Sequence, residues 1–498
     1  MKSDLIRTIA HLFARSPSRR AALRALGITG IGTALATHRE ATIGARKKKR
    51  KKRCRSPRVR CGKSCVALNT TTNCGGCGNR CAEGEACRDG VCCQTALCRG
   101  ECRPDCPPPV ANVPFPQHVN YGAGTILPTT FTAAERDSHV RTAYDRWKAN
   151  YVVRAGRDAA GHQRYRIALG KPAMADHAIT VSEGQGYGML IVAHLAGYDP
   201  EAQEIVDGLW RFRLAHPSEI DDRLMDWRVP GGEGNDSAFD GDCDIAYGLL
   251  LADAQFGSDG AIDYLAEFSR TSAGILGSTI GPQSRLPMLG DWVNAGGATY
   301  NQHTPRTSDF MPGHFRAFAR ATGNGVWDTV AEACLDTIDT LQTDFSPDTG
   351  LLPDFVQEGP RPADAGFLEG AHDGDYSYNA GRDPWRLGTD ALLNGDGRSA
   401  AQARAITAWA ETTTGGEPGN LRAGYRLDGA TWADTNYFTT FFAAPLGVAA
   451  MTDPTLQGWL NAIYGAVYNV SKNYYEDSVT LLCMLVMSGN FWDPTIQP

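Results

Sequence analysis

The feature that most constrains this chain is the recurrence of apolar segments with helical spacing from about Pro114 to the C-terminus. Examples are residues 187–198, 244–256, 327–341 and 477–491, which are separated by loops rich in glycine, aspartate and aromatic residues. Alternation of polar and apolar residues, which marks strands, is scarce. The pattern therefore predicts an all-α domain whose chemistry lies on the loops between helices.

Cysteine distribution sets a second region apart, because twelve of the fifteen cysteines lie within residues 54–106. This segment has few large apolar side chains, so cross-links rather than a core must stabilise it. The C-x-x-C pair at 74–77 leaves zinc as the competing interpretation, but the segment contains no histidine, and we favour disulfides. Three further cysteines lie in apolar segments and are predicted to be buried free thiols: Cys243, Cys334 and Cys483.

The residues before the cysteine-rich segment predict export. Residues 1–45 combine basic residues with a short apolar run at 27–36, as a signal peptide does. The Arg19-Arg20 pair resembles a twin-arginine signal, although Ala22 stands where such signals usually have a larger apolar residue. An amphipathic N-terminal helix is the alternative. The adjacent cysteines favour an oxidising compartment, so we expect a secreted or cell-surface protein.

Two linkers complete the predicted organisation. Residues 46–53 form a strongly basic run that we interpret as a solvated linker, with contact to an anionic cell wall or envelope as the alternative. Residues 107–113 begin with three prolines and predict a stiff spacer. The helical domain then occupies residues 114–498.

Charge is also divided along the chain. Residues 1–60 carry 18 Lys and Arg against 2 Asp and Glu, whereas residues 61–498 carry 31 against 53. An acidic body argues against nucleic acid as a partner and suits a neutral or cationic ligand.

The first candidate site motif is VSEGQGYGM, in which Glu183 lies at the start of an apolar helical segment among three glycines. Glycine weakens a helix but lets the backbone approach a ligand closely. A carboxylate here is explained either by a favourable charge at a helix start or by function. The local cost of the glycines favours function.

The second motif contains three alternating aspartates, Asp240, Asp242 and Asp244, just before another apolar segment. A calcium-binding EF-hand loop that starts at Asp240 would need Gly and Glu where the chain has Ile245 and Leu251, so that site is excluded. Capping of a helix by one aspartate is the structural alternative, but it does not require three acids.

The third motif, AGFLEGAHDGDYSYNAGR at 365–382, combines carboxylates and aromatic residues on a glycine-rich loop. Such a cluster favours a carbohydrate site, since aromatic rings stack on sugars and Arg and Asn bind hydroxyl groups. The sequence contains no phosphate-binding loop, no nucleophile-elbow serine and no H-E-x-x-H motif. Acids with aromatics suggest glycoside hydrolysis, which needs two carboxylates, and we expect no cofactor or metal.

In their order and spacing, these motifs and a closing SGNFWDP at 488–494 resemble glycoside hydrolase family 8. The resemblance covers about residues 114–498, with Phe239 where the family usually has Ser or Thr and Gly248 where it usually has Ser or Ala. It implies an (α/α)6 barrel, here preceded by the small disulfide-rich module. It also implies inverting, endo-acting hydrolysis of a β-1,4-linked polysaccharide.

The resemblance also assigns roles to residues. Glu183 matches the general acid of the family, and Asp240 matches the acid that binds and distorts the sugar beside the scissile bond. In the cellulase branch an aspartate at the position of Asn379 is the general base. An amide cannot take a proton from water at neutral pH, so the base must come from elsewhere or the domain is inactive.

The stretch FLEGAHDGDYSYN resembles the chitosanase and lichenase branch, in which a Glu on an inserted loop shortly before the Asn supplies the base. Glu369 matches that position, with Asp373 and Asp375 as rivals. Asp309 also matches this branch, since the cellulase branch has Tyr there. In this interpretation Asn379 orients the attacking water or a sugar hydroxyl, and repulsion from neighbouring acids raises the pKa of the general acid.

The resemblance and the motifs together give a set of substrate-binding candidates: Tyr187, Trp227, Asp309, Asp375, Tyr378, Asn379, Arg382 and Trp385. We expect a monomer that acts on a polysaccharide, with chitosan and β-glucans such as lichenan or cellulose equally favoured and xylan behind them. The alternative is a non-catalytic glycan-binding cell-surface protein with a degenerate hydrolase domain.

Overall fold

The computed structural model describes residues 111–231 and 235–496, together with short stretches between residues 59 and 102. These two parts belong to separate compact units of the chain.

The smaller unit consists, where it is described, of short antiparallel hairpins that pair β1 with β2, β3 with β4, β5 with β6 and β7 with β8. The strands are β1 (Val59–Cys61), β2 (Ser64–Val66), β3 (Asn69–Thr70), β4 (Asn73–Cys74), β5 (Ala86–Arg88), β6 (Val91–Cys93), β7 (Leu97–Cys98) and β8 (Glu101–Cys102). Cys61 and Cys77 form a disulfide, as expected for the small disulfide-rich module. The predicted export signal (1–45) and basic linker (46–53) lie outside the described residues.

Helices of 11 to 19 residues dominate the larger unit, and the described residues contain twelve of them. In chain order they are α1 (Ala133–Tyr151), α2 (Ser182–His194), α3 (Ala202–Leu214), α4 (Phe239–Phe256), α5 (Tyr264–Ser278), α6 (Pro312–Thr322), α7 (Val326–Asp344), α8 (Asp383–Asn394), α9 (Gly397–Thr414), α10 (Thr440–Ala450), α11 (Gln457–Val467) and α12 (Tyr474–Met487).

Burial alternates along this series of helices. Every residue of α10 is buried, and α2, α4 and α12 are buried on nearly all sides. By contrast, α7 buries a stripe that contains Trp327, Val330, Cys334 and Ile338, at the spacing of an amphipathic helix. A helix that is apolar all round needs neighbours all round. The even-numbered helices therefore form an inner layer and the odd-numbered helices an outer one.

The inner layer closes into a ring. Helix α2 contacts α4, and the contacts continue through α6, α8, α10 and α12 back to α2. Each outer helix packs on this ring, for example α3 on α2, α5 on α4 and α7 on α6. The domain is thus an (α/α)6 barrel, as the resemblance implied. Cys243, Cys334 and Cys483 are buried free thiols in its core, which confirms that prediction.

The GQGYG sequence in α2 has a packing explanation that the sequence analysis did not assign. A Cβ at Gly186 would lie 2.5 Å from the Cβ of Asp244, and one at Gly188 would lie 2.6 Å from Cγ1 of Ile167. These distances are shorter than side-chain carbons can approach, so only glycine lets α2 pack this closely on α4 and on the neighbouring hairpin.

Short hairpins and loops lie beside the barrel's helix ends. The strands of the larger unit pair as β9 with β10, β11 with β12 and β13 with β14. Their bounds are β9 (Val152–Arg157), β10 (Gln163–Ile167), β11 (Thr180–Val181), β12 (Arg228–Val229), β13 (Val356–Gln357) and β14 (Arg361–Pro362). Because β11 leads directly into α2, its pairing with β12 fixes where that helix begins. Within the described residues, no helix is long and apolar enough to cross a membrane.

The close contact between α2 and α4 can be tested by Gly186→Ala. We expect this change to lower the free energy of unfolding by about 1–3 kcal/mol, because the added methyl overpacks a buried contact. Gly465→Ala is the matched control: it lies on an exposed face of α11 with no atom near the new Cβ, so it should raise stability by about 0.5–1 kcal/mol. Urea or thermal unfolding measures both. Equal effects of the two variants would contradict the packing argument.

Candidate active site

A buried guanidinium, that of Arg382, joins the residues at the end of the barrel. Its Nη1 donates to Oε2 of Glu183 at 2.8 Å and to Oδ2 of Asp240 at 3.0 Å. Its Nη2 donates to Oγ of Ser308 at 2.8 Å and to Oδ1 of Asn379 at 3.0 Å. Because Glu183 begins α2, Asp240 begins α4 and Arg382 precedes α8, this one side chain brings three inner-helix N-termini together.

Glu183 has the properties of a general acid. Its side chain is 17% exposed, and Oε1 accepts a hydrogen bond from the hydroxyl of Tyr474 at 3.1 Å. Burial raises the pKa of Glu183 to about 7, against the opposing effect of Arg382 and with a further contribution from Asp240. Burial is therefore a larger cause than the like-charge repulsion that the sequence analysis proposed. A carboxyl with this pKa still holds a proton near neutral pH.

Asp240, unlike Glu183, is ionised at neutral pH. Its Oδ2 lies 2.9 Å from Nη2 of Arg306 and 3.0 Å from Nη1 of Arg382, and Oδ1 accepts from the backbone N–H of Gly241. Burial favours the neutral form, but the two guanidinium groups outweigh it and hold the pKa of Asp240 well below its usual range. The group is an anion throughout the neutral range and is suited to stabilising positive charge.

Asp309, a predicted substrate-binding residue, lies behind Arg306. It is fully buried and accepts from Nε of Arg306 at 3.0 Å. Burial raises the pKa of Asp309 to about 6. This placement makes Asp309 a support for the arginine that contacts Asp240.

The side-chain amide of Asn379 bridges cations and carboxylates. Its Oδ1 accepts from Arg382 at 3.0 Å and from Arg306 at 3.4 Å. Its Nδ2 donates to Oε2 of Glu369 at 3.0 Å and to Oδ2 of Asp354 at 3.3 Å. An aspartate at this position would place a second carboxylate against that of Glu369. The amide thus meets an arginine with its oxygen and Glu369 with its nitrogen.

Glu369 and its rival Asp373 occupy different positions. Glu369 is half-buried and reaches the amide of Asn379. Asp373 is buried, and its carboxylate accepts the backbone N–H groups of Leu368, Glu369 and Gly370 at 2.6, 3.0 and 2.9 Å. Of the two, only Glu369 contacts the bridging amide.

The other rival, Asp375, lies in a separate cluster. Its Oδ2 is 3.3 Å from Nδ1 of His372, whose ring is centred 3.9 Å from that of Trp432. Burial raises the pKa of Asp375, and His372 opposes the rise.

Asp354, which the sequence analysis did not identify, organises the turn that carries Asn379. Its Oδ1 accepts the backbone N–H groups of Ser377, Asn379 and Ala380 at 3.1, 3.1 and 2.7 Å. Burial raises the pKa of Asp354 to about 8 despite these bonds, and the charge of Glu369 adds to the rise.

The predicted aromatic residues divide into two groups. Tyr187 and Trp385 are fully buried below the carboxylates, in an edge-to-face pair, and Tyr187 accepts a long hydrogen bond from Arg382. They support the arginine and expose almost no surface to a sugar. By contrast, Tyr378 and Trp227 are half-buried.

Of the half-buried pair, Trp227 lies beside the start of α2, and Tyr378 packs against α10. The ring of Tyr378 stacks on Phe441, and its hydroxyl lies 2.9 Å from that of Tyr437. The carbonyl of Trp227 accepts the N–H of Ser182, the residue before Glu183, at 2.9 Å.

Four residues of the site were not predicted from the sequence, and each contacts the site through a distant part of the chain. They are Arg306, Ser308, Asp354 and Tyr474. Tyr474 is 291 positions from the carboxylate that it contacts. Arg306 lies three residues before Asp309, in the sequence RTSDF at 306–310, and this proximity was the one available signal. Within the described residues, no group of three or more His, Cys, Asp or Glu could hold a metal ion.

The site combines an acid with a pKa near 7, Glu183, with an ionised carboxylate, Asp240, and a third carboxyl group farther away, Glu369. Glycoside hydrolysis uses such a set of carboxyl groups. On an (α/α)6 barrel this set defines the class of the protein, a glycoside hydrolase. The family follows from comparison: the profile of glycosyl hydrolases family 8 matches residues 113–489, and the chain belongs to that family.

Individual relatives agree with this assignment. A β-glucanase of Niallia circulans is 41% identical over 389 residues, which cover 76% of this chain and 91% of that protein. An endoglucanase of Bacillus sp. strain KSM-330 is 36% identical, covering 76% of this chain and 82% of that protein. The apo structure of a β-1,3-1,4-glucanase from Paenibacillus sp. X4 is 40% identical, with a TM-score of 0.72, and covers 77% of this chain and all of that one.

The pKa of Glu183 can be tested through Tyr474→Phe. The hydroxyl of Tyr474 stabilises the ionised form of Glu183, so its removal should raise the pKa of that carboxyl. A general acid must be protonated, and activity is therefore lost as pH rises through its pKa. We expect the basic limb of the kcat/KM profile to move up by roughly 0.5 pH unit.

The matched control is Tyr468→Phe, because Tyr468 packs on His139 between α1 and α11. It should leave the pH profile unchanged. A basic limb that stays in place or moves down in Tyr474→Phe would contradict the assignment of Glu183 as the acid.

Proposed function

We propose that the protein is an endo-acting, inverting β-glucanase that cleaves mixed-linkage β-1,3-1,4-glucan such as lichenan, and related β-1,4-linked glucans. The observation that carries the proposal is the contact of Asn379 with Glu369, which supplies a carboxylate base where residue 379 itself cannot act as one.

The contact geometry supports inversion. Glu183 lies 2.8 Å from Arg382, Arg382 lies 3.0 Å from Asn379, and Asn379 lies 3.0 Å from Glu369. Two side chains thus stand between the acid and the proposed base. This favours the separation of ~6.5–9.5 Å that leaves room for a water, over the ~5–5.5 Å of retaining enzymes.

The mechanism follows from the charge states. Glu183 donates its proton to the glycosidic oxygen as the C1–O bond breaks. Asp240, an anion between two arginines, stabilises the positive charge that develops on the sugar. Glu369 takes a proton from the water that attacks C1 from the opposite face, so the β-linked substrate gives an α product. The acid loses one proton and the base gains one.

The relatives support β-glucan as the substrate, since two of those about 40% identical are a β-glucanase and a β-1,3-1,4-glucanase. Chitosan is favoured only by the acidic charge of the body. We therefore rank chitosan and xylan behind β-glucan.

A substrate panel tests the activity. Release of reducing ends should be greatest on lichenan, lower on carboxymethylcellulose, and least on chitosan and xylan. A rapid loss of viscosity relative to the sugar released indicates endo cleavage. Greatest activity on chitosan would overturn the substrate assignment, and binding without hydrolysis on all four would favour the non-catalytic alternative.

The stereochemistry can be followed by proton NMR during the first minutes of lichenan hydrolysis. The α anomer should appear first and then equilibrate with β. An initial β product would rule out inversion.

The catalytic carboxyls are tested by Glu183→Gln and Glu369→Gln. Each should reduce kcat by about 10²–10⁴-fold, because each removes one proton-transfer group. Glu358→Gln is the matched control, since Glu358 is exposed at the turn between β13 and β14. Turnover of Glu369→Gln close to that of the control would show that the base lies elsewhere.

A further inference from the structure

We propose that Asp373 is a positioning residue for hydrolysis: it shapes the loop backbone so that the carboxylate of Glu369 meets Asn379 and the attacking water. The inference rests on the proposed role of Glu369 as the base.

The contacts of Asp373 are those of an anchor. It is 3% exposed, although it lies on a loop. One carboxylate oxygen accepts the N–H groups of Leu368 and Glu369, and the other accepts that of Gly370. Three consecutive peptide N–H groups therefore converge on one side chain. An asparagine would present an N–H₂ group to one or more of these donors and could not satisfy all three.

The loop around Glu369 is irregular and is held by contacts on both sides of that residue. Residues 363–375 contain no helix or strand, and no atom lies within 4 Å of a Cβ built at Gly366 or Gly370. The second anchor is on the other side, where the hydroxyl of Tyr300 donates to the carbonyl of Phe367 at 2.8 Å. Phe367 also packs in an apolar cluster with Met288 and Phe355, and the N–H of Gly366 donates to the carbonyl of Gly370 at 2.7 Å. Among these contacts, the Asp373 side chain is the one that holds the N–H of Glu369 itself.

The same framework also holds Asn379. The N–H of Phe355 donates to the carbonyl of Asp373 at 2.8 Å, and the N–H of Asp354 donates to that of Asp375 at 2.8 Å. The carboxylate of Asp354 in turn holds the turn of Asn379. Asp373 thereby links the loop to the segment that orients the amide. If its contacts are lost, the Glu369 carboxylate is no longer fixed relative to Asn379.

Azide distinguishes a defect in water activation from general damage. This small anion attacks C1 without losing a proton, so it needs no base. The C1–N bond forms as the C1–O bond breaks, and the leaving oxygen takes the proton of Glu183. A variant impaired only on the base side should regain turnover with azide and release an α-glycosyl azide, whereas Glu183→Gln should not regain it.

We expect Asp373→Asn to lower kcat on lichenan by about 10–100-fold, because a misplaced catalytic group costs rate steeply. KM should change by less than about threefold, since the change leaves the acid and the half-buried aromatic residues in place. Sodium azide should restore a large part of the lost turnover, as it should for Glu369→Gln.

The matched control is Asp364→Asn, on the same loop but with a side chain that is 74% exposed. It should behave as the unmodified protein with and without azide. Tyr300→Phe removes the second anchor and should give a smaller loss of kcat with the same azide response; it carries the test if Asp373→Asn does not fold.

Unchanged kcat in Asp373→Asn, or a loss that azide does not restore, would overturn the positioning role. If that variant does not fold, unchanged or azide-insensitive turnover in Tyr300→Phe would overturn the role equally. A failure of the proposed base role of Glu369 gives a different result. In that case Glu369→Gln would keep normal turnover, whatever the result for Asp373→Asn.

Discussion

The site depends on one buried cation. Arg382 has almost no contact with solvent and is compensated by Glu183 and Asp240, while its guanidinium carbon lies 5.9 Å from the centre of the Tyr475 ring. A buried charge is tolerated only when it is paired. This requirement holds the first turns of three inner helices together. The two carboxyls that contact Arg382 nevertheless have different pKa values. Asp240 contacts a second arginine, Arg306, and is ionised, whereas burial prevails at Glu183 and raises its pKa to about 7.

A second ion pair repeats the first one helical turn deeper in the barrel. Four residues after Asp240 comes Asp244, and four residues after Arg382 comes Arg386. These two form a bidentate pair at 2.9 and 2.6 Å, and His314 on α6 contacts the same carboxylate. Residues four apart lie on one face of a helix, so both pairs join α4 to α8 along the same seam. All contacts of the deeper pair are with protein groups. The pair therefore fixes α4 relative to α8 beneath the pair of Asp240 and Arg382.

The sequence was sufficient to predict the barrel and to name three carboxyls that the structure places at one end of it, and insufficient for the groups that contact them. Apolar periodicity identifies buried helices, and the motifs around Glu183, Asp240 and Glu369 are local in sequence. Tyr474 and Asp354 reach the site only because the ring closes, and no local pattern marks them. The glycines of GQGYG show the same limit. Their composition indicated a special backbone, but only the positions of α4 and the adjacent hairpin reveal close packing as the reason.

The amide at position 379 lies between the proposed acid and the proposed base. Its oxygen faces two arginines, and its nitrogen faces two carboxyls, so a single neutral side chain satisfies both sides. A carboxylate could satisfy only the cationic side. Residue 379 is committed to this bridge, and the base that we propose, Glu369, lies on a segment outside the ring. Glu183 and Asp240 are held by helix packing and buried ion pairs, whereas Glu369 depends on the hydrogen bonds of its own loop. The position of the proposed base is therefore set by the contacts of its loop, whereas helix packing and ion pairs position the proposed acid.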